Sequence, residues 1–317
     1  MLALASPASL KGVLTAAAAA EALAAGLRAA GAAAVELPVA DGGEGTADVL
    51  YRARGGAWAG ARVVDAFGSP REAGWLLLPD GTAVVEAAAA VPLEPGRLDP
   101  IEASSRGYGE LIAAALADGV RALVLPLGGT ATMDGGAGLL EVLDRLPVPA
   151  VALCDVRTTL WDAPRVFGPQ KGASPAVVEL LERRLALRPE LVPYAELAGA
   201  GAAGGLGAAL ASLGAELVPG AAWVLDAVGF ADHLGEAGLV VTGEGRVDAS
   251  TRAGKAPAAV AAAARAAGVR CVVFGGVVEE PLPGAETVAL SGDPGVAAED
   301  LRLLGERLGA ASREPLG

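Results

Sequence analysis

The chain of 317 residues contains only three lysines, and each lies beside a glycine or in a turn-rich segment. They are Lys11, Lys171 and Lys255, whereas the other 21 of the 24 basic residues are arginine. A lysine retained among so many arginines indicates a position that needs a compact ammonium group rather than a planar guanidinium. Because glycine lets a backbone approach a ligand closely, the three segments are candidate phosphate sites. Chance placement in loops is the alternative.

A second candidate site is the peptide Ala-Asp-Gly-Gly-Glu-Gly-Thr that ends at residue 46. Its glycines leave backbone N–H groups open to a ligand, and its carboxylates and hydroxyl suit Mg²⁺ or sugar-like hydroxyls. The alternative is a tight turn capped by the aspartate, with the threonine starting a helix. The candidate residues are Asp41, Gly42, Gly43, Glu44 and Thr46.

A loop of the same type follows the strand predicted at Arg121–Leu127. Gly129, Thr130 and Thr132 offer backbone and hydroxyl donors at a helix N-terminus, an arrangement that suits an anion. Asp134 closes this loop, and simple helix capping by its carboxylate is the alternative.

The segment Gly243–Lys255 is the strongest of these candidates, because it is too long and too charged for a mere connector between a strand and a helix. It is not a Walker A loop, which needs Gly where Ala249 lies and Ser or Thr where Ala256 lies. Its candidate residues are Glu244, Arg246, Asp248, Thr251 and Lys255.

Two other patterns are weaker. Gly199–Gly204 matches a dinucleotide fingerprint, but no convincing strand precedes it, so we expect close helix packing there instead. His233 is the only histidine, which excludes His-rich zinc sites and disfavours a Ser-His-Asp triad; we expect it at the surface or a helix end. Cys154 and Cys271 are isolated in apolar runs and are predicted to be buried thiols.

Composition excludes several functions. A net charge of −13 leaves no basic face for nonspecific binding to nucleic acid. No apolar run is free of polar residues over the length of a membrane span, and no basic region marks a signal peptide, so we expect a cytoplasmic protein. The chain has no Asn, one Gln and two Met, which fits a thermophile. A GC-rich genome would equally explain the Ala, Gly and Arg content.

The order of elements predicts an α/β protein. Strands and helices alternate, except between Arg62 and Val91, where short runs broken by turns predict antiparallel hairpins. Several strands end in Gly plus Asp, Glu or Thr, and ligands in open parallel sheets bind at the carboxyl ends of strands. We therefore expect the acidic loops to converge. These strands are Arg121–Leu127, Ala150–Cys154, Leu239–Thr242 and Cys271–Phe274.

Together these segments resemble the type 1 glycerate kinase family, and they run in the family's order. Each motif alone is weak, whereas the ordered set is highly specific. The matching segments are Leu10-Lys-Gly, residues 40–46, Leu127-Gly-Gly-Thr-Ala-Thr132, Asp134-Gly-Gly-Ala-Gly138, Cys154-Asp-Val156, Phe167-Gly-Pro-Gln-Lys-Gly-Ala173, Gly199-Ala-Gly-Ala-Ala-Gly-Gly205, Thr242-Gly-Glu-Gly-Arg246 and Gly254-Lys-Ala-Pro257.

The resemblance implies a Rossmann-like parallel-sheet domain, residues 1–60 and 225–317, with a second α/β domain, residues 61–224, inserted in it. The active site is then expected in the cleft between the two domains. It implies transfer of the ATP γ-phosphate to D-glycerate, with 2-phosphoglycerate favoured over 3-phosphoglycerate. The partners are ATP, Mg²⁺ and D-glycerate, with a homodimer left open.

On this reading the three lysines contact phosphate or carboxylate, with Arg246 assisting. The candidates for Mg²⁺ ligand or proton acceptor are Asp41, Asp155 and Asp248, and the sequence does not choose among them. The chain departs from the family where Ala8 replaces an Asp and Met133 an Asn. A non-catalytic relative that binds nucleotide or a small acid is therefore one alternative, and a dinucleotide-dependent dehydrogenase is another.

Overall fold

The computed structural model describes residues 2–252 and 254–311. The apolar run Met1–Ala5 predicts a first strand, and its Met1 lies outside the described residues. The chain divides into two compact units, and the second is inserted in the sequence of the first. The first unit is Met1–Asp41, Asp48–Ala53 and Ala221–Gly317, and the second is Gly42–Ala47 and Arg54–Gly220. The segment Gly42–Ala47 thus clusters with the second unit rather than with its sequence neighbours.

The first unit contains a sheet of five parallel strands, which are β1 (Leu2–Ala5), β2 (Ala33–Glu36), β9 (Ala237–Val247), β10 (Arg270–Val278) and β11 (Glu286–Ala289). Their spatial order is β11-β10-β9-β1-β2. Helices connect β1 to β2 and β9 to β10, as is usual for parallel neighbours, whereas residues 279–285 join β10 to β11 without a helix. The helices are α1 (Ala16–Ala29), α2 (Thr46–Arg54), α9 (Gly220–Ala227), α10 (Phe230–Leu234), α11 (Ala249–Arg252), α12 (Ala256–Ala266) and α13 (Ala297–Ala311), with a 3-10 turn at Pro294–Val296.

The second unit contains a mixed sheet of six strands, which are β3 (Ala57–Val64), β4 (Pro70–Leu77), β5 (Thr82–Val84), β6 (Ala122–Pro126), β7 (Ala150–Cys154) and β8 (Glu216–Pro219). They lie in the order β3-β4-β5-β6-β7-β8. The pairs β3–β4 and β4–β5 are antiparallel, which confirms the predicted hairpins, and the three pairs from β5 to β8 are parallel. The helices are α3 (Ala87–Ala90), α4 (Arg106–Ala117), α5 (Ala137–Leu140), α6 (Ala163–Phe167), α7 (Pro175–Ala186) and α8 (Ala202–Ser212), with 3-10 turns at Pro169–Lys171 and Pro189–Tyr194.

Each sheet is covered by apolar side chains of its own unit. In the first unit Leu23 and Leu301 are fully buried in one cluster with Phe274 of β10. In the second unit Tyr108 and Leu206 are fully buried in another cluster. Burial of a Leu or Phe side chain stabilises a fold by about 1.5–3 kcal/mol, so these clusters hold the strand ends in place. None of the helices within the described residues is long and apolar enough to cross a membrane.

Helices α1 and α13 of the first unit pack backbone against backbone. A methyl group added to Gly26 would lie 1.8 Å from the carbonyl oxygen of Arg302, and one added to Gly305 would lie 2.3 Å from that of Leu23. The Ala-rich composition of α1 allows this approach, because small side chains let helix axes come close. Thr15 is the N-cap of α1, and its hydroxyl accepts a 3.1 Å hydrogen bond from the N–H of Ala18.

Two predicted strand ends are wrong. The strands expected to end at Thr242 and Phe274 run on through the glycines that follow, because β9 and β10 stay paired as far as Val247 and Val278. Glu244 and Arg246 therefore lie on β9 and not in a loop. A methyl group added to Gly243 would lie 2.2 Å from the carbonyl oxygen of Phe274, so this glycine serves close strand packing rather than a turn.

Candidate active site

Three segments of the second unit meet at the carboxyl ends of β6 and β7. The N–H of Leu127 donates a 3.0 Å hydrogen bond to the carbonyl oxygen of Gly42. A methyl group added to Gly128 would lie 2.7 Å from Cα of Gly43 and 3.9 Å from Oδ2 of Asp155. Within this unit the loops after the strands therefore converge, as the position of acidic residues after parallel strands predicts.

The loop after β6 contains one buried hydroxyl without a hydrogen-bond partner among the described residues. Thr130 is buried, and its Oγ1 has no hydrogen-bond partner among the residues that the structure describes. The hydroxyl of Thr132 is also buried but donates a 3.0 Å hydrogen bond to the carbonyl oxygen of Ala203. Oε2 of Glu44 lies 3.5 Å from where a methyl group on Gly129 would be. Since an unpaired buried hydroxyl is costly, Thr130 is the stronger of the two threonines as an anion contact.

Lys171 is buried in the same unit and supports this loop. Its side chain is only 4% exposed, and Nζ donates a 2.8 Å hydrogen bond to the carbonyl oxygen of Thr132. Burial lowers the pKa of Lys171 to about 7, although the charges of Asp134 and Asp155 oppose that shift. The retained lysine is thus bonded to backbone, which is a different contact from the predicted phosphate.

Asp134 is occupied by local hydrogen bonds. Its Oδ2 accepts from the N–H and hydroxyl of Ser105 at 2.8 Å each and from the N–H of Gly138 at 3.1 Å. Its Oδ1 accepts from the N–H of Gly136 at 3.0 Å. This is the geometry that the capping alternative predicts, and it joins the β6 loop to the start of α4.

The Gly42–Ala47 segment is anchored by a residue that the sequence did not single out. Oε1 of Glu86 accepts a 2.7 Å hydrogen bond from the N–H of Ala47, and Oε2 accepts a 3.3 Å bond from the N–H of Gly45. Thr46 is buried, and its hydroxyl donates to the carbonyl oxygen of Gly43 at 2.7 Å. Two backbone donors and one hydroxyl expected to face a ligand are therefore already bonded.

In the first unit Glu244 is the centre of a small polar cluster. Its Oε1 accepts a 2.7 Å hydrogen bond from the hydroxyl of Thr251, and its Oε2 lies 3.4 Å from Nζ of Lys255. Burial raises the pKa of Glu244, and the charge of Asp41 adds to this, whereas Thr251 and Lys255 lower it. A partly buried carboxylate with a shifted pKa beside a cation is typical of functional sites.

The remaining candidates of the first unit have local or exposed partners. Arg246 is exposed and forms an ion pair with Glu279. The carboxylate of Asp248 accepts hydrogen bonds from the hydroxyl and the N–H of Ser250 at 2.5 and 2.7 Å, and the hydroxyl bond is the main cause of its lowered pKa. Lys11 is exposed in a turn. Asp248 therefore has the contacts of a residue that shapes the turn before α11.

The predicted metal ligands Asp41, Asp155 and Asp248 fall in different units, with Asp155 in the second. Across residues 2–252 and 254–311 no group of three or more His, Cys, Asp and Glu side chains is arranged to hold a metal ion. Mg²⁺ sites of enzymes that bind phosphates usually contain only one or two carboxylates, with phosphate oxygens as further ligands.

The glycine-rich segment Gly199–Gly204 packs against the β6 loop. A methyl group added to Gly204 would lie 2.1 Å from the carbonyl oxygen of Thr132, and Gly204 has a φ of +73° that favours glycine. The segment therefore serves close packing, as predicted, and the dehydrogenase alternative loses its fingerprint.

His233 and Cys154 lie where the sequence predicts, whereas Cys271, which was predicted to be buried, is half-buried. His233 is in the last turn of α10. Cys154 and Cys271 are free thiols, and burial raises the pKa of each to about 12. At that pKa neither is a nucleophile near neutral pH.

Both departures from the family pattern are accommodated locally. Met133 is 1% exposed and packs with Ala163 and Leu181, so the residue in place of the family's Asn is part of a core. The N–H of Ala8 donates a 2.9 Å hydrogen bond to the carbonyl oxygen of Gly243, so the backbone after β1 stays tied to β9 without an aspartate.

A family model matches residues 3–147 and 144–292, and by that match the protein is a kinase, a phosphotransferase. The model describes the glycerate kinase family, and the chain belongs to that family.

Relatives with this function are similar over most of their length. The chain is 38% identical over 277 residues to glycerate 2-kinase of Escherichia coli K12, with 73% of each chain covered. It is 37% identical over 322 residues to glycerate kinase of Bacillus subtilis 168, with 86% of this chain and 84% of the relative covered. A crystal structure assigned as glycerate kinase 2 of Salmonella typhimurium LT2 has a TM-score of 0.82 at 32% identity and covers 99% of this chain and 98% of that one.

Proposed function

We propose that the protein transfers the γ-phosphate of ATP to D-glycerate and forms 2-phosphoglycerate rather than 3-phosphoglycerate. The observation that carries this proposal is the loop after β6, where Thr130 Oγ1 is buried without a partner among the described residues, and Gly128 lies close to Asp155. Such a loop can receive an anionic group through its hydroxyl and backbone. The Escherichia coli relative, named glycerate 2-kinase, supports the choice of product.

The residues of each unit have separate proposed roles. In the second unit Thr130 and the adjoining backbone bind an anionic group. In the first unit Lys255 neutralises phosphate charge, and Glu244 or Asp41 accepts the proton of the acceptor hydroxyl. That hydroxyl oxygen forms the new bond to phosphorus, the bond from phosphorus to the ADP oxygen breaks, and ADP leaves. Catalysis of such transfer is mainly positioning and neutralisation of charge.

Mg²⁺ is proposed as the cofactor that accompanies ATP. It prefers oxygen ligands, so the carboxylate of Asp41 in the first unit or that of Asp155 in the second suits it as a single protein ligand, with phosphate oxygens as further ligands. Bound Mg²⁺ supplies neutralisation of phosphate charge, which a chain of net charge −13 otherwise provides poorly.

The test is ADP release, coupled to a dehydrogenase assay, with ATP and D-glycerate. We expect glycerate-dependent turnover that EDTA abolishes and excess Mg²⁺ restores. Proton-coupled phosphorus NMR identifies the product, because a phosphate on carbon 2 couples to one proton and gives a doublet, whereas one on carbon 3 gives a triplet. No turnover despite ATP binding would support the non-catalytic alternative, and a triplet would refute the proposed product.

A further inference from the structure

The carboxylate of Glu86 fills the position at which a helix usually binds an anion. Helix α2 begins at Thr46 and has nine residues. Its first free N–H groups include those of Gly45 and Ala47, and Glu86 accepts from both, one with each oxygen. The partial positive charge of a helix N-terminus attracts anions, and here a side chain of the protein satisfies it.

The carboxylate of Glu86 disfavours binding of phosphate at the start of α2. A phosphate at the start of α2 would have to displace Glu86 from two hydrogen bonds and lie beside its negative charge, and like charges in a partly buried place repel strongly. The β6 loop, in contrast, has the hydroxyl of Thr130, which is unpaired within the described part of the chain.

Glu86 also fixes where Glu44 lies. The two hydrogen bonds flank Thr46, whose own hydroxyl holds the carbonyl of Gly43, so the backbone on both sides of Glu44 is restrained. With that backbone in place, Oε2 of Glu44 lies beside Gly129 of the β6 loop. A carboxylate there can accept hydrogen bonds from hydroxyl groups.

We propose that Glu86 is a positioning residue: it holds the Gly42–Ala47 segment so that Glu44 accepts a hydrogen bond from a hydroxyl of the acceptor, and it keeps phosphate away from the start of α2. This inference rests on the proposed glycerate kinase activity. Glu86 touches no reacting atom and acts through Glu44.

The test compares Glu86→Gln with the matched control Glu110→Gln. Glu110 is a half-buried glutamate of the same unit that also accepts a backbone hydrogen bond, from the N–H of Val64 at 3.0 Å. Gln keeps the size but loses the charge and one acceptor, so Glu86→Gln should raise KM for D-glycerate about tenfold while Kd for ATP, from calorimetry, changes less than about twofold. Glu110→Gln should change neither. If Glu86→Gln does not fold, Glu86→Asp is used, since the shorter side chain cannot reach both N–H groups.

A double-mutant cycle separates positioning from a general loss of structure. If Glu86 acts through Glu44, the variant Glu44→Gln/Glu86→Gln should have the same KM for D-glycerate as Glu44→Gln alone, within about twofold. Additive increases in KM, or a change in Kd for ATP as large as the change in KM, would overturn the inference. Failure of the proposed function is distinct, because the unmodified protein would then release no ADP with D-glycerate.

Discussion

Nζ of Lys171 donates a 2.8 Å hydrogen bond to the carbonyl oxygen of Thr132, and both residues are buried. The amine therefore holds the loop that also carries Thr130, whose buried hydroxyl has no hydrogen-bond partner in the described ranges.

Lys171→Met should change how stability depends on pH. The folded-state pKa of Lys171 is about 7, against 10.5 for an ordinary lysine. Below pH 7 Lys171 is protonated in both the folded and the unfolded chain, so the folded chain bears the full free-energy cost of a buried charge. Between these pKa values the unfolded chain binds more protons, so the free energy of unfolding rises with pH by at most about 1.4 kcal/mol per unit.

We therefore expect the unfolding free energy of the native protein to rise relative to Lys171→Met as the pH rises from 7 to 10.5. Urea denaturation across that range measures the difference. Lys11→Met is the control, because Lys11 is exposed. A constant difference between native protein and Lys171→Met would show that the buried amine does not titrate in this window.

Lys255→Arg should lower catalytic efficiency without unfolding the protein. Lys255 precedes α12 at its N-cap, where a cation is unfavourable to the helix dipole, and its side chain is 28% exposed. A bound anion would offset that cost. The planar group of arginine cannot reproduce a compact ammonium beside Glu244, so kcat/KM should fall more than about tenfold, roughly 1.4 kcal/mol.

The control for this variant is Arg252→Lys, a swap in the opposite direction at an exposed residue that pairs with Glu280. Its kcat/KM should stay within about twofold of the native value, since exposed ion pairs contribute about 0–1 kcal/mol. Equal activity of Lys255→Arg and the native enzyme would remove the argument that the retained lysines mark the site.

Glu244→Gln should mainly lower activity, whereas Asp248→Asn should mainly lower stability. Glu244 contacts Thr251 and Lys255, so loss of its charge should reduce kcat/KM about a hundredfold or more, with a smaller effect on melting temperature. Asp248 bonds within its own turn, so Asp248→Asn should cost about 1 kcal/mol of stability and leave kcat/KM within about threefold. Steady-state kinetics and thermal melts of both variants measure these effects. A larger loss of kcat/KM in Asp248→Asn than in Glu244→Gln would make Asp248 the catalytic carboxylate.

Gly26→Ala should destabilise the first unit by about 1–3 kcal/mol or more, because its methyl group would lie 1.8 Å from the carbonyl oxygen of Arg302. The gain in helix propensity, about 1 kcal/mol, is too small to compensate. Gly235→Ala is the control, since nothing lies within 4 Å of its added methyl group and its φ of −61° suits alanine. Denaturant midpoints measure both, and a neutral Gly26→Ala would mean that α1 and α13 can move apart freely.

Much of the fold follows from local sequence. Turn signals between Arg62 and Val91 predicted the antiparallel hairpins, and alternation of apolar runs with Ala-rich helices predicted the parallel strands. The glycines of β9 were misread, because a glycine that opens a turn and one that lets a strand approach Phe274 look alike in sequence. Only the pairing of β9 with β10 distinguishes them.

The sequence predicted which residues belong to the candidate site, but not which groups their side chains contact. The sequence places Thr130 and Thr132 just after a predicted strand and Lys171 in a turn-rich segment. Which hydroxyl is left unpaired, and which group the lysine contacts, depends on contacts with distant residues. Lys171 meets a carbonyl 39 positions away, and Glu86 meets an N–H 41 positions away. No periodicity or spacing rule covers such separations, so the role of Glu86 could not be predicted.

The position of β1 between β2 and β9 sets an order of events during synthesis. The first unit cannot complete its sheet until the ribosome has released residues 237–247 of β9, whereas all six strands of the second unit lie between residues 57 and 219. The second unit can therefore fold while β1, β2 and α1 still lack β9, the strand that pairs with β1. During synthesis, the earliest-made segment of this chain therefore has the longest interval in which its strands lack their partners.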